Sequence, residues 1–495
     1  MRPARGGRGF EEGGFEGDAL RPSGGFDDGV RAPVRRPGGV KVSKVKGAGD
    51  PQTFARLRRS HGLTFAGLLL FTFVLFFRPY EFMPLPMTLA FWCAVLTLAV
   101  YVPSQLSAEG SLTARPREVN LVLLLCLTGL LSIPLAKGSA AEAWGTFSDI
   151  FIRAILIFIV IVNAVRTERR LRVMLWLSVV SGVVLAAGAL NDFAAGRLTI
   201  EGYRVEGRIG GIFENPNDMA LHFVTMLPIA VALAFASRGL LRKALCAGAA
   251  ALMAAATVVT YSRGGFLAMA AAMAALGWTL GRRHRLAVVS AVGVLGLALL
   301  VLAPGGYGAR IFSIYDHNLD TLGSASARQA LLMRSALVAV RNPLFGVGMG
   351  NFSHVSFRNQ VTHNAYTQVA AEMGAAAFVI YLLYILTPLR RLRAIVRETF
   401  DERRTSRFYY LAAGLAASLV GYMVASFFAS VAYYWNVYYL VGYAVCLRRL
   451  YEASRAEPAA AREKVGAGDE GLVDGEEGRV GTEEAGALAG RALSL

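Results

Sequence analysis

Apolar runs of about 20 residues recur from about Leu63 to about Leu447, and they restrict the fold more than any other feature of the chain. Each run is long enough to cross about 30 Å of hydrocarbon as a helix. The bilayer core gives the backbone nothing to hydrogen-bond, so a spanning segment is a helix or part of a closed barrel. Runs of this length without period-two alternation exclude the barrel. The expected fold class is all-α, a polytopic membrane protein of about twelve transmembrane helices with one large helical outer loop. The expected spans are 63–78, 86–104, 118–136, 143–164, 173–190, 218–236, 244–261, 264–281, 286–303, 364–388, 408–430 and 432–447. The membrane domain covers 61–450, with the outer loop at about 304–363. Residues 1–60 and 451–495 read as disordered cytoplasmic tails, too rich in Gly, Arg, Pro, Ala and Glu to bury a core. No cleavable signal peptide is expected, since the first 60 residues are too polar for one.

Basic residues set the orientation. VRTERRLR (165–172), SRGLLRK (237–243), RRHR (282–285) and RRLRAIVRETFDERRTSR (390–407) fall between spans that would place them inside, as does the RRLYE that leaves the last span. The bias of Lys and Arg toward the cytoplasm then puts both termini inside and the long loops outside, in a bacterial inner membrane. The formal net charge of +17 would by itself suit nucleic acid. Topology accounts for most of it, and no nucleic-acid partner is expected. Cys93, Cys126, Cys246 and Cys446 all lie in apolar runs, form no CxxC pair and read as apolar fillers.

Arginine on the outer side runs against the insertion bias and needs a reason. The outer segments carry Arg197, Arg204, Arg208, Arg263, Arg310, Arg328, Arg334, Arg341 and Arg358. Long translocated loops escape the charge rule, so several of these are ordinary solvated charge. Arg263 sits in TYSRGG, a tight turn between two apolar runs at the outer boundary. It is either an arginine snorkelling to the headgroups or part of an anion site, with Gly264 and Gly265 letting a ligand approach the backbone. In GRIGGIFENPNDMA, Asn215 suits an N-cap and Pro216 the first helical position. A helix start at that boundary, beside Arg208, is also a ready anion site. Asp149 and Arg153 lie four apart within a span, where a charge pair is expensive and is expected to face the bundle interior.

The outer loop reads as a helix from about Ala325 to Val340 that stops before Asn342-Pro343. Arg328, Leu331, Leu332 and Ala336 share a face, with Arg334 elsewhere. The glycine-rich FGVGMGNF follows as a turn. His363 then stands at the outer end of the tenth span, where it is a surface histidine, a cap or a general base at neutral pH. DHNLD (316–320) lacks a convincing ligand set for a metal, and no Walker A, HExxH or serine elbow occurs.

In sequence order these pieces are an Arg-Gly segment leading to NPN, then SRGG, then an outer helix with Arg328, then NPLFGVGMGNF, then HNAYTQVAAEMG. The arrangement resembles the O-antigen ligase and O-antigen polymerase superfamily over about residues 200–390. The resemblance implies a metal-independent, cofactor-free glycosyltransferase acting on a glycan carried by undecaprenyl pyrophosphate. The glycan would pass to an acceptor hydroxyl on a glycan, lipid or protein at the outer face of the membrane. It implies that Arg208, Arg263 and Arg328 bind the pyrophosphate and that His363 is catalytic, with Asn364, Glu372, Asn215 and Asn217 as supporting residues. Leu332 stands where the family often has an aromatic residue, which leaves Arg334 as an alternative to Arg328. Two rival readings are a secondary transporter of an anionic solute, which predicts two similar halves, and a non-catalytic scaffold with an exported loop.

Overall fold

The computed structural model describes residues 61–456, apart from 84–87, 198–199, 208–212, most of 282–306 and 313–323. The expected tails over 1–60 and beyond 456 lie outside the described residues, as does most of the expected ninth span.

The described residues are helical, with one isolated bridge between Ile200 and Arg204. In chain order the helices are α1 (Gly62–Phe77), α2 (Leu89–Glu109), α3 (Arg117–Ser132), α4 (Ala140–Ala164), α5 (Glu168–Ala194), α6 (Pro216–Ala236), α7 (Leu240–Val259) and α8 (Arg263–Leu280). There follow α9 (Tyr307–Phe312), α10 (Ser324–Arg341), α11 (Phe352–Val355), α12 (Ala365–Met373), α13 (Ala375–Glu398), α14 (Tyr409–Ala425) and α15 (Trp435–Ala456). Among the described residues, seven helical segments are long and apolar enough to cross a membrane: α2, α4, α5, α6, α7, α13 and Tyr409–Phe428, which extends α14 by a 3-10 turn. The other expected spans correspond to shorter or more polar helices, namely α1, α3, α8 and α15.

The tenth span, expected as one helix over 364–388, is broken. Gly374 separates α12 from α13 with φ 90°, a backbone conformation open to glycine alone. A Cβ there would strike the carbonyl of Leu344.

α6 and α14 form the centre of the bundle and pack on each other, with α7 and α8 against them. Small residues allow the close approach. Gly414 of α14 faces Ala232 and the Pro228 carbonyl, and Gly421 faces Ala272 and Val224. Tyrosines supply bulk at the centre, and most of their hydroxyls find a partner, as burial requires. Tyr381 and Tyr422 share a hydrogen bond of 2.8 Å, as do Tyr443 and Ser178. At the expected inner ends of the helices, ion pairs join distant segments: Arg166 to Glu109 at 2.7 Å, and Arg448 to the fully buried Glu118 at 2.7 Å. Removing one partner of such a buried pair typically costs about 3–5 kcal/mol.

Candidate active site

Three helix starts and one aromatic turn meet at the end of the bundle that carries the outer loop. α8 begins in the TYSRGG turn. Ser262 is its N-cap, accepting the Gly265 N–H at 3.1 Å, and Arg263 is its first residue. Tyr261 just before it has φ 50° and tightens the turn. Gly264 and Gly265 serve a purpose other than the expected one. A Cβ on Gly264 would press into Phe428, and one on Gly265 into Ala220. These glycines let α8 pack against neighbouring helices, and they do not open the backbone to a ligand.

Asn217 ties this turn to the start of α6. Its side-chain oxygen accepts from the Ser262 hydroxyl at 2.9 Å and from Arg204 at 3.1 Å. Arg204, 5 % exposed, also donates to the Thr260 carbonyl at 3.0 Å, so it braces the turn from beneath. Asn215 caps α6 as its sequence predicts, accepting the Asn217 N–H at 2.8 Å. Arg208, with Gly210 and Gly211, lies outside the described residues.

The second wall comes from α10. Its observed span, Ser324–Arg341, extends the expected helix by one residue at each end. Leu331, Ser335 and Val338 form the buried face, while Ala336, expected on that face, is exposed. The two candidate arginines separate cleanly. Arg334 is held elsewhere, with Nε and a terminal nitrogen both donating to the Val355 carbonyl at 3.0 and 2.8 Å and the guanidinium over the Phe357 ring. Arg328 faces the bundle.

The third wall is the turn before α12. Asn364 is the N-cap: its side-chain oxygen accepts the Tyr366 and Thr367 N–H groups at 2.9 and 3.0 Å, and its amide donates to the Phe427 carbonyl at 3.0 Å. Thr362 donates to the Asn364 carbonyl and shares a hydrogen bond with Ser430. Between them His363 adopts φ 49°, an uncommon left-handed conformation for a residue other than glycine. Such strained positions gather at functional sites.

A cleft of about 230 Å³ opens where these walls meet. It is lined by Arg263, Arg328, Gln329, Thr362, His363 and Asn364 on its polar side, and by Leu267, Leu332, Phe427 and Phe428 on its apolar side. Four residues singled out in the sequence, Arg263, Arg328, His363 and Asn364, thus share one cavity although the chain places the first about 100 positions before the last. Burial pushes the His363 imidazole below its ordinary value, and the positive charge of Arg328 pushes it the same way. The neutral form therefore dominates at neutral pH, with a lone pair free to accept a proton. Two guanidiniums, with the positive ends of α8 and α12 nearby, make the cleft electropositive.

Glu372 is not part of this cleft. Its carboxylate accepts the Gly350 N–H at 3.0 Å, the Phe352 N–H at 3.4 Å and the Tyr433 hydroxyl at 2.8 Å. The glycine-rich turn serves the same end of α12: Val347 N–H donates to the Ala371 carbonyl and Gly348 N–H to the Glu372 carbonyl. These are terminal carbonyls that a helix leaves without partners of its own. The motif from Asn342 to Phe352 is thus scaffolding that sets the axis of α12 and, through it, the turn holding His363.

Asp149 and Arg153 pair at 2.6 Å, 64 % and 43 % exposed, and line a cleft of about 530 Å³ instead of facing the buried interior. A π-helical turn over Thr146–Phe151 carries Asp149. His354 pairs with Glu142 at 2.6 Å, and Arg197 with Asp192 at 2.6 Å, so both have surface roles. His317 lies outside the described residues. Sequence reading missed Gln329, Thr362, Phe427 and Phe428. For the phenylalanines a signal exists in the aromatic segment SFFASVAYYW, which ends one apolar run and starts the next.

No curated protein matches the chain. A family model described as O-antigen ligase matches residues 248–382, a stretch running from α7 to α13 that carries Arg263, Arg328 and His363. Together with the apolar helices, this O-antigen ligase domain supports a multi-pass membrane protein of the O-antigen ligase superfamily, with a function of the ligase or polymerase type.

Proposed function

We propose that the chain is a glycosyltransferase that moves a glycan from undecaprenyl pyrophosphate to an acceptor hydroxyl at the outer face of the inner membrane. The observation that carries this reading is the convergence of Arg263, Arg328 and His363 on one cleft with an apolar wall. A lipid-linked donor has the matching character, a diphosphate between an apolar chain and a sugar.

In the proposed reaction the acceptor oxygen attacks the anomeric carbon as the bond from that carbon to the pyrophosphate oxygen breaks. His363 takes the hydroxyl proton. Arg263 and Arg328 hold the charge that develops on the departing undecaprenyl pyrophosphate. Guanidiniums suit this task because they remain charged at any relevant pH and match phosphate oxygens two at a time. Arg208 belongs to the proposal through the family resemblance. Asn364, Asn215 and Asn217 act by holding the turns that present Arg263 and His363, and Glu372 by anchoring α12. Both tails are proposed to be cytoplasmic.

The test is glycan transfer from a lipid-pyrophosphate donor by the full chain in membranes. His363→Ala is expected to lower transfer by at least about 100-fold, with insertion and thermal stability retained. Normal transfer by that variant would refute the assignment. Accumulation of the intact lipid-linked glycan in a deletion strain separates this reading from a transporter of anionic solutes.

A further inference from the structure

A second basic cleft lies at the opposite end of the bundle, with a volume of about 740 Å³. α8 runs from Arg263 in the first cleft to Trp278 in the second, 15 residues or roughly 22 Å of helix. One wall is the far end of α13, which contributes Arg390, Arg393 and Arg397. The others are apolar or weakly polar: Ala275, Trp278 and Thr279 of α8, and Ala416, Ala417 and Val420 of α14.

The three arginines are spaced i, i+3 and i+7, so they lie along one face of α13. All are exposed, and none makes a hydrogen bond or ion pair with any described residue. Like charges at this spacing repel. Among the described residues, no carboxylate lines the cleft. The dipole of α13 favours Arg397, in its last turn, but that effect does not reach Arg390. The inward bias of basic residues accounts for arginine in this region. It does not account for three of them on one apolar-walled cleft, with Trp278, a residue type that seeks the headgroup level, at the edge.

We infer that this cleft binds an anionic phospholipid, its phosphate diester against Arg390, Arg393 and Arg397 and its acyl chains along the apolar wall of α8 and α14. Basic pockets between transmembrane helices are sites of this kind. A free phosphate would leave the apolar wall unused, and a zwitterionic lipid would bring a second positive charge to the arginines. The inference does not depend on the reaction proposed for the other cleft.

The experiment uses the full chain in detergent, loaded with phosphatidylglycerol or phosphatidylcholine, and reads retained lipid by native mass spectrometry. Wild type should retain phosphatidylglycerol, and excess inorganic phosphate should not displace it. The triple variant R390Q/R393Q/R397Q should retain at least tenfold less. The charge-matched variant R238Q/R242Q/K243Q, altered on exposed residues outside the cleft, should behave as wild type. R393E alone gives the same reading if the triple variant folds poorly. Equal loss in the charge-matched variant would reduce the effect to general surface attraction and overturn the site. Undiminished retention in the cleft variants, equal retention of phosphatidylcholine, or displacement by phosphate would each overturn it as well.

Discussion

At the scale of single residues, the two arginines of α10 make the sharpest comparison. Arg328 lines the cleft, and Arg334 spends its donors on the Val355 carbonyl. Lysine keeps the charge but loses the fork. Arg328→Lys should therefore lower transfer by about 10- to 100-fold, the cost of roughly one charge-assisted bidentate contact in the transition state. Arg334→Lys should stay within a few-fold of wild type. Initial rates of glycan transfer by the two variants decide this, and the reverse order would move the pyrophosphate contact to Arg334. The pH profile gives a second handle. A base must be unprotonated, and His363 is held below the usual value of about 6.5. The rate should be flat around neutrality and fall only on the acid side of 6.5. Arg328→Gln removes one of the two causes of the depression, so its acid limb should move to higher pH, whereas Arg328→Lys should leave the limb in place. The same depression carries a stability sign. The unfolded chain takes up this proton first, so the contribution of His363 is present above about pH 6.5 and declines as the pH falls.

At the scale of elements, local chemistry was legible and long-range packing was not. Asn215-Pro216 announced the start of α6 because a cap and a first-turn proline act within a few residues. Arg263 stood out because charge in a tight turn at the outer boundary is unusual, whereas Arg328 and His363 were singled out by the motifs that carry the family resemblance. Gly264 and Gly265 misled because a glycine beside an arginine has two uses, and only the position of Phe428 and Ala220 distinguishes them. The break at Gly374 stayed hidden because AAEMGAAAF holds no proline or turn residue besides the glycine itself, while its cause is the Pro343–Leu344 backbone 30 residues earlier, to which the Ala375 N–H donates at 2.7 Å. Gly374→Ala should therefore be costly. The strained backbone alone accounts for about 1–3 kcal/mol, and the contact with the Leu344 carbonyl adds to it. Gly248→Ala is the control, since Gly248 lies in helix α7 with nothing near its missing Cβ. That substitution should be neutral or stabilising by up to about 1 kcal/mol. Thermal unfolding in detergent measures both, and activity should follow stability only in the Gly374 variant, because α12 carries the His363 turn. Equal melting temperatures for the two variants would remove the strain from Gly374.

At the scale of the whole molecule, hydropathy recovers the number and place of apolar segments better than it recovers which of them cross. α1 and α3 have 16 residues each, and α8 begins with an arginine, yet all three pack within the same bundle as the seven longer segments. Orientation follows from charge bias alone, and the chemistry proposed for the cleft requires it, since the acceptor and the exported donor meet outside. A labelling experiment tests the arrangement directly. Arg341 ends α10 on the cleft side and Arg404 follows α13; both are exposed, and α13 is the one long apolar helix between them. Cys93, Cys246 and Cys446 are buried and Cys126 is half-buried, so background reaction should be low. A membrane-impermeant maleimide added to spheroplasts should label Arg341→Cys at once and Arg404→Cys only after the membrane is permeabilised. Labelling of both without permeabilisation would mean that α13 does not cross. The inverse pattern would place the cleft in the cytoplasm, where an exported lipid-linked glycan cannot reach His363, and the proposed reaction would fail on topology whatever its side chains can do.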